Sequence, residues 1–484
     1  MSVLLSIRRK RAFGSVPFIM LLALVLVIHP SGPPLFDLEH TGVAYADDDD
    51  SGDGGSSASS GAGSGNESAG SRATLKKSKV GTKRVAPKPK NQRNKKQLVI
   101  AQSRSTPPQP KALLINAPHE IVALGLSGSA LNALEEQGYR IVQRQVVRSL
   151  SQLMVRLSVP DNVRLSQARS GIELLGGSVS TDLNHFYRTT SEPATVSASL
   201  DTALACKGGH CAALQQISWP LTGSAPRTCA KDMLIGMVDT GINPRHEAFI
   251  GQTIELIEQA MPGLQKSGLQ HGTAVAAILV GGQTTRTPGV LPNANLLAVD
   301  VFHRVGGDER ADVFAIVKAL DTLHQRGVKL INMSLAGPQN SVLERMIGQM
   351  VADDLVIVAA AGNDGPSAPP AFPAAYTGVV AVTAIDQSGR VYRRANQGAH
   401  IDFSAPGVNI WTAASIRGAK RNTGTSFATP FVTATFAAAK AANQNATAAE
   451  LRDQLQSTTI DLGKKGFDLV YGNGLIQTAK FCLG

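Results

Sequence analysis

The sequence predicts an α/β fold: a doubly wound, mainly parallel sheet with helices on both faces, preceded by a small α+β domain. Three observations carry this. From Lys231 onward, short apolar runs of strand length alternate with helix-length segments. Those runs lack the polar alternation of a half-exposed strand, as expected where a parallel sheet is covered on both faces. Ahead of them, residues 119–189 compress six elements into a short stretch with a split β-α-β pattern.

In this first unit, Ile121–Leu126 (IVALGL) reads as a strand and Ser127–Gln137 as a helix opened by a serine cap. Tyr139–Val147 and Leu153–Val159 read as two strands meeting at Ser149–Ser151. A helix over Asn162–Leu175 and a strand near Val179–Tyr187 complete a ferredoxin-like order. Ser191–Trp219 reads as a connector that holds Cys206 and Cys211.

The second unit is read from Leu234–Val238, Leu296–Val301, Leu330–Leu335, Leu355–Ala361 and Val379–Ala384, each short, rich in β-branched residues and closely bounded. Between them, Ala311–Gln325 and Val342–Val351 carry apolar residues at helical spacing, as in Val313, Ile316, Val317, Leu320 and Leu323. A helix of small residues follows over Phe431–Ala442. Sites in such folds form outside the carboxyl ends of the strands.

Charge is distributed unevenly. The 484 residues hold 47 Lys+Arg against 36 Asp+Glu, a formal charge of +11, yet residues 1–119 alone hold 17 basic and 8 acidic side chains. A nearly neutral globular part behind a basic tail argues against nucleic acid as a partner, the more so because no aromatic residue interleaves the basic run at 72–96. Four cysteines exclude a disulfide-scaffold miniprotein. No uninterrupted run reaches about 18 apolar residues, which excludes a multi-span membrane protein.

Residues 1–46 carry the parts of a signal peptide: Arg8–Arg11 (RRKR), an apolar centre from Val16 to Ile28, and Ala44-Tyr45-Ala46. Export to the periplasm or beyond follows, with cleavage after Ala46. The long span from Ile28 to Ala46 leaves an uncleaved inner-membrane anchor as the alternative, and the Arg8-Arg9 pair is too weak a cue for a twin-arginine route. Residues 47–111 are expected to be a disordered linker, first acidic, then Gly/Ser-rich, then basic, because so few apolar side chains bury too little surface to offset chain entropy. Its eleven Lys or Arg over residues 72–96 are suited to an anionic cell-envelope surface; the plainer alternative is a solvated spacer.

Four sites fall where strands end or helices begin. Asp239 closes the first strand in GMVDTGI (236–242), His271 opens HGTAVAA (271–277), Asn363 follows a strand in AAAGNDG (359–365), and Ser426 lies in NTGTSFATP (422–430). Each is weak alone, since D-T-G is also an ordinary turn and most histidines are structural. Together they imply acyl transfer. A serine hydroxyl is a poor nucleophile near neutral pH, so a histidine must take its proton and a buried carboxylate must hold the imidazole. The oxyanion formed then needs donors in place, for which the Asn363 side chain and the Ser426 backbone N–H are suited. The chain order Asp239, His271, Ser426 is neither chymotrypsin-like nor the serine-first order of α/β-hydrolases, and G-T-S-F-A lacks the second glycine of G-x-S-x-G.

With these residues in hand, Lys231 to Phe481 resembles a subtilisin-type (subtilase) serine peptidase. LINMSLAG (330–337), Ala371–Ala384, FSAPG (403–407) and YGNGLI (471–476) resemble further landmarks of that family in their expected order. The resemblance implies that Asp239, His271 and Ser426 are catalytic and that Asn363 is the oxyanion donor. It also implies that Ser334, Leu335, Ala336, Gly337, Ala361 and Gly362 bind substrate. It further implies that residues 112–190 are a propeptide that assists folding, inhibits the enzyme and is cut off autocatalytically, with Asn184–Arg188 in or near the cleft; the alternative is a retained structural domain. The junction is bounded only by Arg188–Pro220. The expected organisation is signal 1–46, linker 47–111, propeptide-like domain 112–190, connector 191–230 and peptidase domain 231–484.

Three positions depart from the family pattern. Ala274 stands where a second histidine is common, and Phe427 and Thr429 replace the commoner Met and Ser; none removes a proton-transfer group. No cofactor or metal is assigned: no run reproduces the family's tight calcium loop, so a structural calcium is unsupported, and the Cys206/His210/Cys211 cluster lacks a fourth zinc ligand. Asp364, at the rim of the specificity pocket by resemblance, either favours a basic or polar substrate residue or is simply solvated. Cys206, Cys211, Cys229 and Cys482 allow three full pairings. The reading is an exported serine endopeptidase made as a self-inhibited precursor and acting on polypeptide substrates. The alternatives are an envelope-adhering module dominated by its basic tether and an inactive subtilase-like protein.

Overall fold

Residues 112–175, 177–193, 208–219, 228–259 and 263–482 are described by a computed structural model. The expected signal peptide (1–46), the expected linker (47–111) and Cys206 lie outside them. The first unit runs β1 (Asn116–Leu124), α1 (Gly128–Glu136), β2 (Arg140–Val147), β3 (Gln152–Ser158), α2 (Leu165–Glu173) and β4 (Ser180–Thr189). Its strands are antiparallel in the order β2-β3-β1-β4. Ser127 caps α1 by accepting from the Ala130 N–H. The two-residue period of a strand divides β1 between two environments. Ile121 and Ala123 pack with Leu131, Leu134 and Ile172 in a core of their own, whereas Val122 and Leu124 join a cluster of the second unit.

A short strand β5 (Glu192–Pro193) and a helix α3 (Cys211–Gln216) stand where the sequence suggested only a connector. The second unit then begins with β6 (Leu234–Asp239), β7 (Thr253–Glu258), β8 (Gln265–Lys266), α4 (Gln270–Val280) and β9 (Asn295–Asp300). A hairpin follows, β10 (Phe302–Val305) and β11 (Asp308–Asp312), then α5 (Val313–Gln325), β12 (Leu330–Met333), β13 (Leu335–Ala336) and α6 (Ser341–Ala352). The remainder is β14 (Val356–Ala360), β15 (Val380–Ile385), β16 (Ile401–Pro406), β17 (Ile410–Ala413), β18 (Ala419–Thr423), α7 (Thr425–Ala442) and α8 (Ala448–Gln456).

Among the described residues, seven strands form a parallel sheet in the order β16-β15-β14-β12-β6-β9-β7. Each continuous apolar run serves both faces. In β14, Val356 and Val358 pack on the side of α4 and α7, and Ile357 and Ala359 on the side of α5 and α6. From β6 the chain runs to β7 and β9 on one side and then crosses to β12 on the other, so the tip of β6 lies at a topological switch point. The free face of the first unit's sheet rests on α5 and α6, where Val122, Leu124 and Met154 meet Phe314, Val317 and Met346. Asp321 of α5 accepts from the Ser149 N–H at 2.9 Å and its hydroxyl at 2.7 Å.

Two expected boundaries moved for physical reasons. The run Leu330–Leu335 divides at Ser334, because β13 leaves the central sheet to pair with β4. The last long helix begins at Thr425 rather than Phe431. Pro430 inside α7 cannot donate back to the Ser426 carbonyl, and the Ser334 hydroxyl supplies that bond instead at 3.0 Å. Cys229 and Cys482 are bonded, with Cα atoms 5.3 Å apart, and Cys211 is in a disulfide as well. Among the described residues, no helix is long and apolar enough to cross a membrane.

Candidate active site

The four sites converge at the carboxyl edge of the parallel sheet. Asp239 ends β6 and His271 is the second residue of α4; Asp239 Oδ1 lies 2.6 Å from His271 Nδ1 and also accepts the Thr240 N–H at 2.7 Å. Both side chains are buried. Gly272 lets α4 approach this closely, because a Cβ there would overlap the Thr240 and Gly241 carbonyls. Its N–H donates to the Thr240 hydroxyl at 2.9 Å. His271 Nε2 has no hydrogen-bond partner, and its ring lies 5.5 Å from that of Phe427.

Ser426 is in the first turn of α7, and its hydroxyl donates to the Ser334 carbonyl at 2.9 Å. The Asn363 amide is oriented by its oxygen, which accepts from the Thr425 N–H at 3.2 Å and the Thr425 hydroxyl at 3.1 Å. That leaves the Asn363 Nδ2 buried and unpartnered, near the start of the helix that Ser426 opens. Ala274 and Thr429, two of the departures, are fully buried, and the Thr429 hydroxyl bonds back to the Thr425 carbonyl.

A strand of the chain itself occupies this site. The end of β4 pairs antiparallel with β13, with Thr189 opposite Leu335 and Arg188 opposite Ala336. Beyond it, the Thr190 N–H donates to Ser426 Oγ at 3.0 Å, the two hydroxyls lie 2.6 Å apart, and the Thr190 carbonyl accepts from the Ser426 N–H at 3.4 Å. Gly424 makes room for this: a Cβ would overlap the Thr190 oxygen and stand 2.9 Å from Asn363 Nδ2. The chain continues into β5, which pairs with β18. Tyr187 is fully buried against Gly337, where a Cβ would come within 2.5 Å of its ring, and its hydroxyl donates to the Pro338 carbonyl at 2.7 Å.

Of the expected substrate-binding residues, Ser334, Leu335 and Ala336 flank this strand. Gly337 also bonds to Phe372 in both directions. The Gly362 N–H donates to the Thr425 hydroxyl at 3.3 Å, and the Ala361 N–H to the Val382 carbonyl at 3.0 Å.

The family model for the Subtilase family matches residues 230–474. The chain belongs to the subtilase family. Its members are serine endopeptidases. Over 250 residues this subtilase is 32% identical to subtilisin DY of Bacillus licheniformis, covering 50% of this chain and 88% of that one. Over 249 residues it is 30% identical to the minor extracellular protease Epr of Bacillus subtilis (strain 168), but the match spans only 38% of Epr's length and 51% of this chain. Among solved structures, fervidolysin of Fervidobacterium pennivorans shares the fold with a TM-score of 0.65 at 20% identity, over 76% of this chain and 61% of that one.

Two features of the subtilase's site escaped the sequence reading. Asp300, at the tip of β9, accepts from the Ser267 hydroxyl at 2.7 Å and the Phe302 N–H at 3.0 Å. Burial pushes its carboxyl up to about 6, the nearby Asp239 charge adds to this, and the two hydrogen bonds partly offset it. The β10–β11 hairpin was also missed, although Val305-Gly306-Gly307-Asp308 is a hairpin signal. It extends the first unit's sheet by pairing Ala311 with Tyr187 and Asp312 with Phe186.

Proposed function

We propose that this subtilase is an exported serine endopeptidase made as a self-inhibited precursor, with residues 112–190 as its ferredoxin-like propeptide and the bond Thr190–Ser191 as the one it cuts in itself. The observation that carries the reading is the Thr190 carbonyl, directed at the Ser426 N–H with strand pairing on both sides of it. The likeness to fervidolysin extends over more of the chain than the family segment alone, which supports a domain ahead of the peptidase.

In this reading Ser426 Oγ turns from the Ser334 carbonyl to His271 Nε2, gives up its proton and attacks the Thr190 carbonyl carbon. Asp239 holds the imidazole and stabilises its charged form. The oxyanion is met by the Ser426 N–H at the positive end of α7 and by the unpartnered Asn363 Nδ2. The bond to the Ser191 nitrogen breaks as His271 returns the proton to it, and water then releases the acyl group from Ser426. No cofactor enters these steps. The signal peptide and the basic linker act on placement, delivering the enzyme outside the cytoplasm and holding it near an anionic envelope surface.

The test compares wild type with Ser426→Ala by intact mass, amino-terminal sequencing and peptide hydrolysis. Wild type should yield a chain beginning at Ser191, and Ser426→Ala should remain joined across Thr190–Ser191 and hydrolyse nothing. Equal processing and hydrolysis in the variant would remove Ser426 from the chemistry.

A further inference from the structure

We infer that the β10–β11 hairpin gives the mature enzyme an acidic subsite, centred on Asp308, that selects arginine at the third position before the cut bond. The inference rests on Thr190 as the residue whose carbonyl is attacked, which makes Arg188 the third residue back. Arg188 meets Asp308 in a two-point fork, Nε to Oδ1 at 2.8 Å and Nη2 to Oδ2 at 2.8 Å. A planar guanidinium matches a carboxylate in this way and an ammonium does not.

The carboxylate is placed by the fold rather than by the strand it binds. Asp308 directly follows a two-residue Gly306-Gly307 turn, in which Gly306 takes φ +61°. With the propeptide seated, its side chain is 12% exposed and that of Arg188 25%. A second guanidinium, that of Arg310 on the same hairpin, holds Asp308 Oδ2 at 2.9 Å. Burial alone would raise the Asp308 carboxyl, and the two guanidinium groups outweigh it and hold the acid below its ordinary range. Asp364, the acid suggested by sequence, is exposed, and its N–H bonds to Asn396. After the propeptide leaves, Asp308 keeps Arg310 but loses both bonds of the fork, so an incoming arginine remakes the fork, though not the bond that Arg188 Nη2 also gives the Leu114 carbonyl at 2.7 Å.

The experiment uses the full chain after self-maturation and chromogenic peptides Phe-Tyr-Xaa-Thr-Thr, the sequence of residues 186–190 with the Arg188 position varied. The ratio of kcat/KM for Arg over Ala should be about tenfold or more, with Lys between them, given a partly exposed two-point charged contact. In Asp308→Asn that ratio should fall toward one, and in Asp308→Lys the ranking should turn toward Glu. A ratio near one in wild type, or a preference for Arg that survives both substitutions, would overturn the subsite. Maturation at a bond other than Thr190–Ser191 would overturn the register it rests on. Absence of all hydrolysis would instead overturn the serine-peptidase reading itself, so the three failures are distinguishable.

Discussion

Gly424→Ala tests the oxyanion geometry without touching any group that moves a proton. Gly424 has φ +150°, and a Cβ there would overlap the Thr190 carbonyl oxygen while standing 2.9 Å from Asn363 Nδ2 and 3.0 Å from Ser191 Cα. To reach van der Waals separation the carbonyl must retreat by roughly 1 Å. The Ser426 N–H is already 3.4 Å from that oxygen, so the retreat removes the hydrogen bond altogether. The methyl also screens Asn363 Nδ2. One such donor is worth about 3–4 kcal/mol, a value known from a subtilisin's asparagine rather than worked out from this chain. Loss of at least one donor therefore predicts a drop of about 100- to 1,000-fold in kcat, with Asn363→Ala falling in the same range. The assay is peptide hydrolysis, with the intact mass of the precursor as a second readout and a thermal melt to confirm folding. A folded Gly424→Ala enzyme that matures normally and keeps kcat within tenfold of wild type would refute the placement of the oxyanion.

Two further outcomes follow from buried groups. Asp300 has its pKa raised from 3.8 to about 6, so the folded state binds its proton more tightly than the unfolded chain does. The stability this gives is fully present below pH 3.8 and is lost as pH rises through about 6. Asp300→Asn should therefore be more stable than wild type above pH 6 by up to roughly 3 kcal/mol, with the difference vanishing near pH 4; urea melts at both pH values check the sign. The Cys229–Cys482 link closes a loop of 253 residues, and removing it with paired serine substitutions should cost roughly 2–5 kcal/mol. Thermal inactivation should shift down by on the order of 10 °C. Reductant should lower wild type by more than it lowers the variant, which keeps only the Cys211 disulfide; identical inactivation of both under oxidising conditions would count against the link.

The parts of this subtilase legible in sequence share one property: their signal is local. Continuous apolar runs announced β6, β9, β12, β14 and β15 because a strand buried on both faces needs apolar residues in succession. Asp239, His271, Asn363 and Ser426 stood out because turn glycines and small residues surround them. The boundaries that moved were moved by distant partners. Ser334 ends a strand because β4 draws β13 away, and Pro430 sits inside a helix because Ser334, 92 residues before Ser426, satisfies the carbonyl it leaves open.

By itself the sequence determined the layered parallel sheet and singled out four residues that the fold brings together, since periodicity and motif spacing act over a few residues at a time. Only the tertiary structure decided that Thr190 is the residue in the cleft and that Asp308, 120 residues from Arg188 along the chain, is the acid that meets it. Antiparallel pairing of β4 with β11 and β13 brings those groups together. Register between strands so far apart depends on how the first unit's sheet seats on α5 and α6, a packing outcome that no local pattern encodes.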